Sequence, residues 1–242
     1  MSLSSSNIKI NLGSIRERMQ DAATRAGRNV DDIRLVAVTK YMPAEYVQAA
    51  MSAGQHCFGE NTLQDALGKQ ALLHDPLNEW HFIGHLQSNK AKSIPDNFAW
   101  LHTLDSLKLA SKLSAGATRS QRTLNVLLQV NIANDPDKFG LPAASVYAFV
   151  EDLLGAGLDG IRLRGLMAIG RRNDSPEATR ANFAALRKLG EACAARFDAR
   201  HFSELSMGMS NDFEIAIAEG ATMIRVGSSI FGQRPTAAPD YS

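Results

Sequence analysis

Helical and strand-like segments alternate from one end of this 242-residue chain to the other, an order that restricts it to a mostly parallel sheet whose crossovers are helices. A helical pattern over residues 8–26, ending before Gly27, precedes a first apolar strand at 34–39. Seven further strands are expected at 55–58, 80–84, 100–103, 125–130, 161–167, 204–206 and 223–226. Helices are expected between them at 44–53, 62–73, 88–94, 106–115, 143–156, 176–195 and 212–219. Eight strands in this alternation predict a closed (β/α)₈ barrel. The alternative is an open doubly wound sheet, which is disfavoured because no G-x-G-x-x-G turn follows a strand and no G-x-x-x-x-G-K-[ST] loop occurs. Residues 1–235 read as one barrel domain and residues 236–242 as a disordered tail.

Composition narrows the partners. Hydrophobic residues make up 45% of the chain, enough for a large core, and a net charge of +1 with scattered Lys and Arg leaves no basic footprint for nucleic acid or an anionic membrane. Cys57 and Cys193 form neither a CxxC pair nor a disulfide framework, which suits a reducing cytoplasm. The amino terminus lacks a charged-then-apolar leader pattern, and no apolar run reaches the length of a membrane span.

In a barrel of this kind the working face is the carboxyl end of the strands. Lys40 stands there, where the first strand runs into Tyr41-Met42-Pro43. It shares a strand face with Val36 and Val38, so its stem is packed and its amine emerges at the strand end, a placement suited to covalent carbonyl chemistry. The second strand runs into Phe58-Gly59-Glu60-Asn61, and the third into a polar stretch from His81 to Lys90. Late-strand loops of barrels often hold phosphate, and two candidates follow: the turn from Ser206 to Asp212, and Gly227-Ser228-Ser229. The first turn also suits a purely structural helix cap by Ser210 or Asn211, the latter with Glu214 at capping-box spacing. Arg225 lies in a strand that should be buried and so requires an acceptor. A carboxylate such as Glu60 or Glu204 is one choice, and a heteroaromatic ring nitrogen is the other. His81 and His85 are four residues apart, but no carboxylate completes a zinc pattern and no metal site is expected. No G-x-S-x-G elbow is present. Residues 131–140 depart from a calcium loop and read as a lid or solvated connection.

Taken together, Ala37-Val38-Thr39-Lys40, Phe58-Gly59-Glu60-Asn61, the stretch from His81 to Lys90, Arg164-Gly165-Leu166-Met167, the stretch from Leu205 to Ser210 and the stretch from Arg225 to Gly232 resemble the pyridoxal phosphate homeostasis protein family. The resemblance spans the chain from the first helix to Gly232. It implies a barrel like the amino-terminal domain of alanine racemase that holds pyridoxal 5′-phosphate (PLP) as an aldimine on Lys40. Asn61 would line the ring and Arg225 would face the pyridine nitrogen, while Ser206, Ser210, Gly227 and Ser228 fall in the turns that would bind the phosphate. The implied role is a non-catalytic, monomeric, cytoplasmic carrier in PLP homeostasis, with PLP-dependent enzymes as recipients. The alternative is an amino-acid racemase, disfavoured because this chain leaves no room after the eighth strand for the second domain that such racemases use.

Overall fold

The computed structural model describes residues 4–171 and 174–233; the tail expected at 236–242 lies outside the described residues. Eight parallel strands close into a barrel. They are β1 (Arg34–Val38), β2 (Cys57–Glu60), β3 (Glu79–Phe82), β4 (Trp100–Leu104), β5 (Leu124–Asn131), β6 (Ile161–Met167), β7 (Glu204–Ser206) and β8 (Met223–Val226). Each pairs with the next, and β8 pairs back onto β1 with Ala37 opposite Val226. A two-residue extension, Leu141–Pro142, pairs with the end of β5. The helices are α1 (Ser5–Arg25), α2 (Ala44–Ser52), α3 (Leu63–Leu72), α4 (Ile94–Asn97), α5 (Leu107–Arg119), α6 (Val146–Gly155), α7 (Pro176–Arg196), α8 (Phe213–Ala218) and α9 (Ser228–Phe231).

Alternation along each strand sorts side chains into two cores. Leu35 and Ala37 of β1 face the helices and join the main apolar shell, whereas Val36 points inward to meet Trp100, Leu127, Met167 and Met223. Helix α1 begins three residues earlier than expected, because the Ser4 side chain accepts from the Asn7 N–H and caps it. It buries Ile8, Leu12, Ile15 and Met19 along one stripe, each worth roughly 1.5–3 kcal/mol. The stripe packs against α2 and α8, and Asn11 Nδ2 donates to the Ile230 carbonyl beside α9.

Two expected elements shift. The second strand starts at Cys57 rather than residue 55, since the Gln55 amide turns inward to donate to the Leu35 and Cys57 carbonyls at 2.8 and 2.7 Å. The helix expected at 88–94 appears instead as a 3₁₀ turn, Ala91–Ser93, followed by α4. No helix among the described residues is long and apolar enough to cross a membrane.

Strand β6 contains a bulge. Leu163 pairs with Val126 and Gly165 with Leu127, which leaves Arg164 as the extra residue. Gly165 takes φ 153°, and a Cβ there would fall inside the Glu204 carbonyl oxygen of β7. Gly165→Ala should therefore lower unfolding stability by roughly 2–4 kcal/mol, measured as the shift in a urea denaturation midpoint; an unchanged midpoint would show that the bulge can relax.

Candidate functional site

Lys40 follows the last residues of β1 and is half-buried. The backbone on both sides of it is held. Thr39 faces the helices, where Lys69 Nζ donates to its carbonyl at 2.6 Å and its own hydroxyl donates to Glu60 Oε1 at 2.6 Å. On the other side, the Tyr41 N–H donates to Asp65 Oδ2 at 2.8 Å, with Tyr41 at φ 62°. Lys69 and Glu60 are fully buried, and Lys69 Nζ also lies 2.6 Å from Glu60 and 3.0 Å from Asp65. Burial pushes the Glu60 carboxyl up to about 7, with Asp65 adding to the rise and Lys69 opposing it. Lys69 and Asp65 were not singled out in the sequence, although their i, i+4 spacing on α3 was available as a signal.

Asn61 follows β2. Its Oδ1 and Glu60 Oε2 are both buried without a hydrogen-bond partner, which makes the end of β2 a place short of donors. Arg225 on β8 is 5% exposed. Its guanidinium donates to Ser206 Oγ at 2.6 Å and to the Ala168 carbonyl, just beyond β6, at 2.8 Å. Burial lowers its pKa to about 10, partly offset by Asp212. Among the described residues Arg225 forms no ion pair. Both carboxylates considered from sequence are engaged elsewhere. Glu60 is bound by Lys69, and Glu204 accepts from the Thr222 hydroxyl at 2.7 Å and lies 3.8 Å from Arg164.

Ser210 does not cap α8, and neither does Asn211. Asp212 occupies that position, with Oδ1 accepting from the Met209 N–H at 2.6 Å. Ser210 Oγ instead accepts from the Gly227 and Ser229 N–H groups, each at 3.4 Å. A Cβ on Gly227 would sit 3.2 Å from the Val38 carbonyl oxygen, so this turn packs closely against β1. Ser228 opens α9 and is exposed. Lys40, Asn61, Ser210, Gly227 and Ser228 thus lie beyond the strand ends of one rim, and the Arg225 guanidinium reaches that level at Ala168. Ser206 is fully buried inside the barrel, between Arg225 and His102.

His102 is not singled out in the sequence. In the barrel, His81 of β3 and His102 of β4 both point inward, and His81 Nδ1 lies 2.8 Å from His102 Nε2. His102 Nδ1 is 2.9 Å from Ser206 Oγ, and His81 Nε2 is 2.9 Å from Glu79 Oε1. Burial lowers the pKa of both imidazoles. Cys57, Glu79 and His81 bring three potential ligand atoms within 4.8 Å of one another. Arg34 already lies 3.3 Å from Glu79, and burial raises the Cys57 thiol strongly, so the cluster is hydrogen-bonded and poorly suited to a cation. On the outer rim His85 stacks on Phe139 of the loop after β5, with centroids 4.0 Å apart.

The family described as alanine racemase, N-terminal domain, matches residues 10–235. A pyridoxal phosphate homeostasis protein from Pseudomonas aeruginosa is 44% identical over 97% of this chain and 99% of its own length. The solved structure of PipY from Synechococcus elongatus with PLP bound superposes with a TM-score of 0.82 at 38% identity, covering 93% of this chain and all of that one. An alanine racemase from Clostridium difficile shares the fold, with a TM-score of 0.72 at 16% identity, and the match covers 96% of this chain and 58% of the racemase.

The Glu60 carboxyl gives the site a pH signature. Its folded-state pKa near 7 stands above the ordinary value of ~4.3. Folding binds the extra proton between those values, so the group's contribution to stability is greatest in acid and is lost as pH rises through this window. The stability of the wild type relative to Glu60→Gln should fall by roughly 1–3 kcal/mol between pH 5 and pH 8. Denaturant titrations at one-unit intervals read this directly, and a flat or rising difference would contradict it.

Proposed function

Because the chain belongs to the alanine racemase N-terminal domain family, and within it to the pyridoxal phosphate homeostasis proteins, we propose that it is a PLP carrier. In this reading one barrel domain, residues 1–235, binds the cofactor reversibly as a monomer in the cytoplasm and influences its supply to PLP-dependent enzymes. The observation that supports it most is the seam between β1 and β8. Lys40 lies beyond one strand, and beyond the other the Gly227 and Ser229 N–H groups converge on a single oxygen.

The residues present fit the group. Lys40 Nζ is the covalent attachment point. Gly227, Ser228 and Ser210 hold the phosphate, where amide donors already point at an oxygen atom and Gly227 packs closely against Val38. Asn61 lines the ring, and its partnerless buried Oδ1 leaves it able to accept a further donor. Arg225 faces the ring nitrogen and donates to it, while Ser206 acts from beneath by holding Arg225. When bound, PLP supplies an aldehyde for attachment and, in enzymes, an electron sink. That sink is strongest when an acidic partner protonates the ring nitrogen. Arg225 holds no proton it can give up near neutral pH, so it keeps the nitrogen an acceptor and weakens the sink. This favours retention of the cofactor over chemistry on it.

Lys40→Ala should abolish the visible absorbance of the attached cofactor and leave no borohydride-fixed adduct on peptide mass analysis. A full-stoichiometry adduct on another lysine would overturn the assignment. Lys40-dependent racemisation of any common amino acid near the ~10 s⁻¹ typical of enzymes would overturn the carrier reading itself.

The phosphate assignment has its own test. Charge-assisted hydrogen bonds are worth roughly 1.5–3 kcal/mol each. Pyridoxal, which lacks the phosphate, should therefore bind more than tenfold more weakly than PLP in parallel absorbance titrations. Equal affinities would place the anion site elsewhere.

A further inference from the structure

A continuous line of hydrogen-bonding groups crosses the barrel interior, and the function proposed above uses only its last two members. It starts at Glu79, the first residue of β3 and 39% exposed at its side chain. From there it passes through His81 at 2.9 Å, His102 at 2.8 Å, Ser206 at 2.9 Å and Arg225 at 2.6 Å. His81, His102 and Ser206 are fully buried. With both imidazoles neutral, the carboxylate end fixes the direction of every bond in the line. A guanidinium can only donate, so Ser206 Oγ accepts from Arg225; its own proton turns to His102 Nδ1, the acceptor of a neutral ring protonated at Nε2. His102 then carries its proton on Nε2 and donates to His81 Nδ1. His81 in turn carries its proton on Nε2 and donates to Glu79, whose carboxylate can only accept.

We infer that Glu79, His81, His102 and Ser206 form a one-way hydrogen-bond relay that positions Arg225 and fixes both histidines as neutral Nε2–H tautomers. The relay sets a line of hydrogen bonds behind a buried cation on which the charge of Asp212 also acts. Arg225 has no carboxylate within ion-pair distance among the described residues, and unidirectional chains of this kind polarise each bond in turn. Because the Ser206 hydroxyl already donates its hydrogen bond to His102 Nδ1, it presents only lone pairs to Arg225. His81 stacks on Trp100 at 5.6 Å, which holds its ring plane. Glu79 is in turn steadied by Arg34 at 3.3 Å. Ser206, His102 and His81 are therefore positioning residues. Their effect on the bound cofactor rests on the reading that Arg225 faces the ring nitrogen.

Two measurements separate the relay from that reading. The first uses cofactor-free, ¹⁵N-histidine-labelled protein and two-bond ¹H–¹⁵N correlation spectra, with His81→Gln and His102→Gln identifying the two residues by omission. Both imidazoles should be neutral at pH 7.5, protonated at Nε2 and unprotonated at Nδ1. An Nδ1–H tautomer or an imidazolium at either position overturns the relay, whatever the cofactor does. The second measurement follows loss of PLP to an excess of a scavenging apoenzyme, together with the visible spectrum, for Ser206→Ala, Arg225→Gln and the double variant. Ser206→Ala should speed loss roughly tenfold or more, shift the band in the direction Arg225→Gln does, and add little in the double variant, because both act through one group. His102→Gln, which keeps a donor for His81, should lie closer to wild type than His102→Leu. If Arg225→Gln changes loss and Ser206→Ala does not, or if the two effects add fully, Ser206 does not act through Arg225. If Arg225→Gln itself is silent, the cofactor reading of Arg225 fails and takes the relay's functional role with it.

Discussion

Buried charge is the constraint around which this barrel is organised. An ion removed from water costs several kcal/mol unless a partner and further hydrogen bonds compensate it. The chain meets that requirement twice, on opposite faces of the same sheet. On the helix side Lys69 is shared by Glu60, Asp65 and the Thr39 carbonyl, with no side-chain exposure for Lys69 or Glu60. On the inner side Arg225 donates to Ser206 Oγ, which leads on to His102, His81 and Glu79, and to the Ala168 carbonyl, while the charge of Asp212 also acts on it. Each arrangement fixes a piece of backbone or a guanidinium at the same rim, so the polar geometry of the candidate site follows from how the interior disposes of charge.

The architecture was legible because it rests on periodicity. Strands at 161–167, 204–206 and 223–226 fall where the alternation of apolar residues predicts, and the eight-fold repeat of strand and helix dictates closure. The departures have local causes that a pattern does not contain. Gln55 leaves the strand because its amide is used by two carbonyls brought near only by folding. Residues 88–94 form a 3₁₀ turn at Ala91–Ser93 in place of a regular helix. Helix α1 starts early at a serine cap lying among several similar serines, and the bulge at Arg164 becomes visible only in the register between β5 and β6.

The site divides in the same way. Lys40, Arg225 and the turns at Ser210 and Gly227 were legible because each combines a residue type with a position at a strand end, and position on a strand is a one-dimensional property. What could not be read was partnership between strands. His81 and His102 are 21 residues apart and meet because β3 and β4 are adjacent, with their inward faces in phase. Ser206 could be placed at the end of β7, but its orientation toward Arg225 depends on β8 as well. Ser210 suited a helix cap by spacing alone, yet its oxygen is used by amides from the following strand's turn. The family resemblance narrowed these options without supplying the contacts.

The two networks also bear on how a small ligand can be held by few contacts. Ordering a loop residue costs roughly 1–2 kcal/mol in backbone entropy, and a site that orders itself on binding loses that much affinity for each residue fixed. Here the residues on either side of Lys40 are already tied to Lys69 and Asp65, Arg225 is already oriented by Ser206 and Ala168, and the Gly227 turn is already closed over Ser210. That cost is met when the chain folds. A rim prepared in this way can bind without large rearrangement and release without unfolding, which is what reversible storage requires. Chemistry would instead require interactions that strengthen only in a transition state. The relay beneath Arg225 points the other way: it fixes one protonation pattern and one orientation, and so favours a single bound ground state.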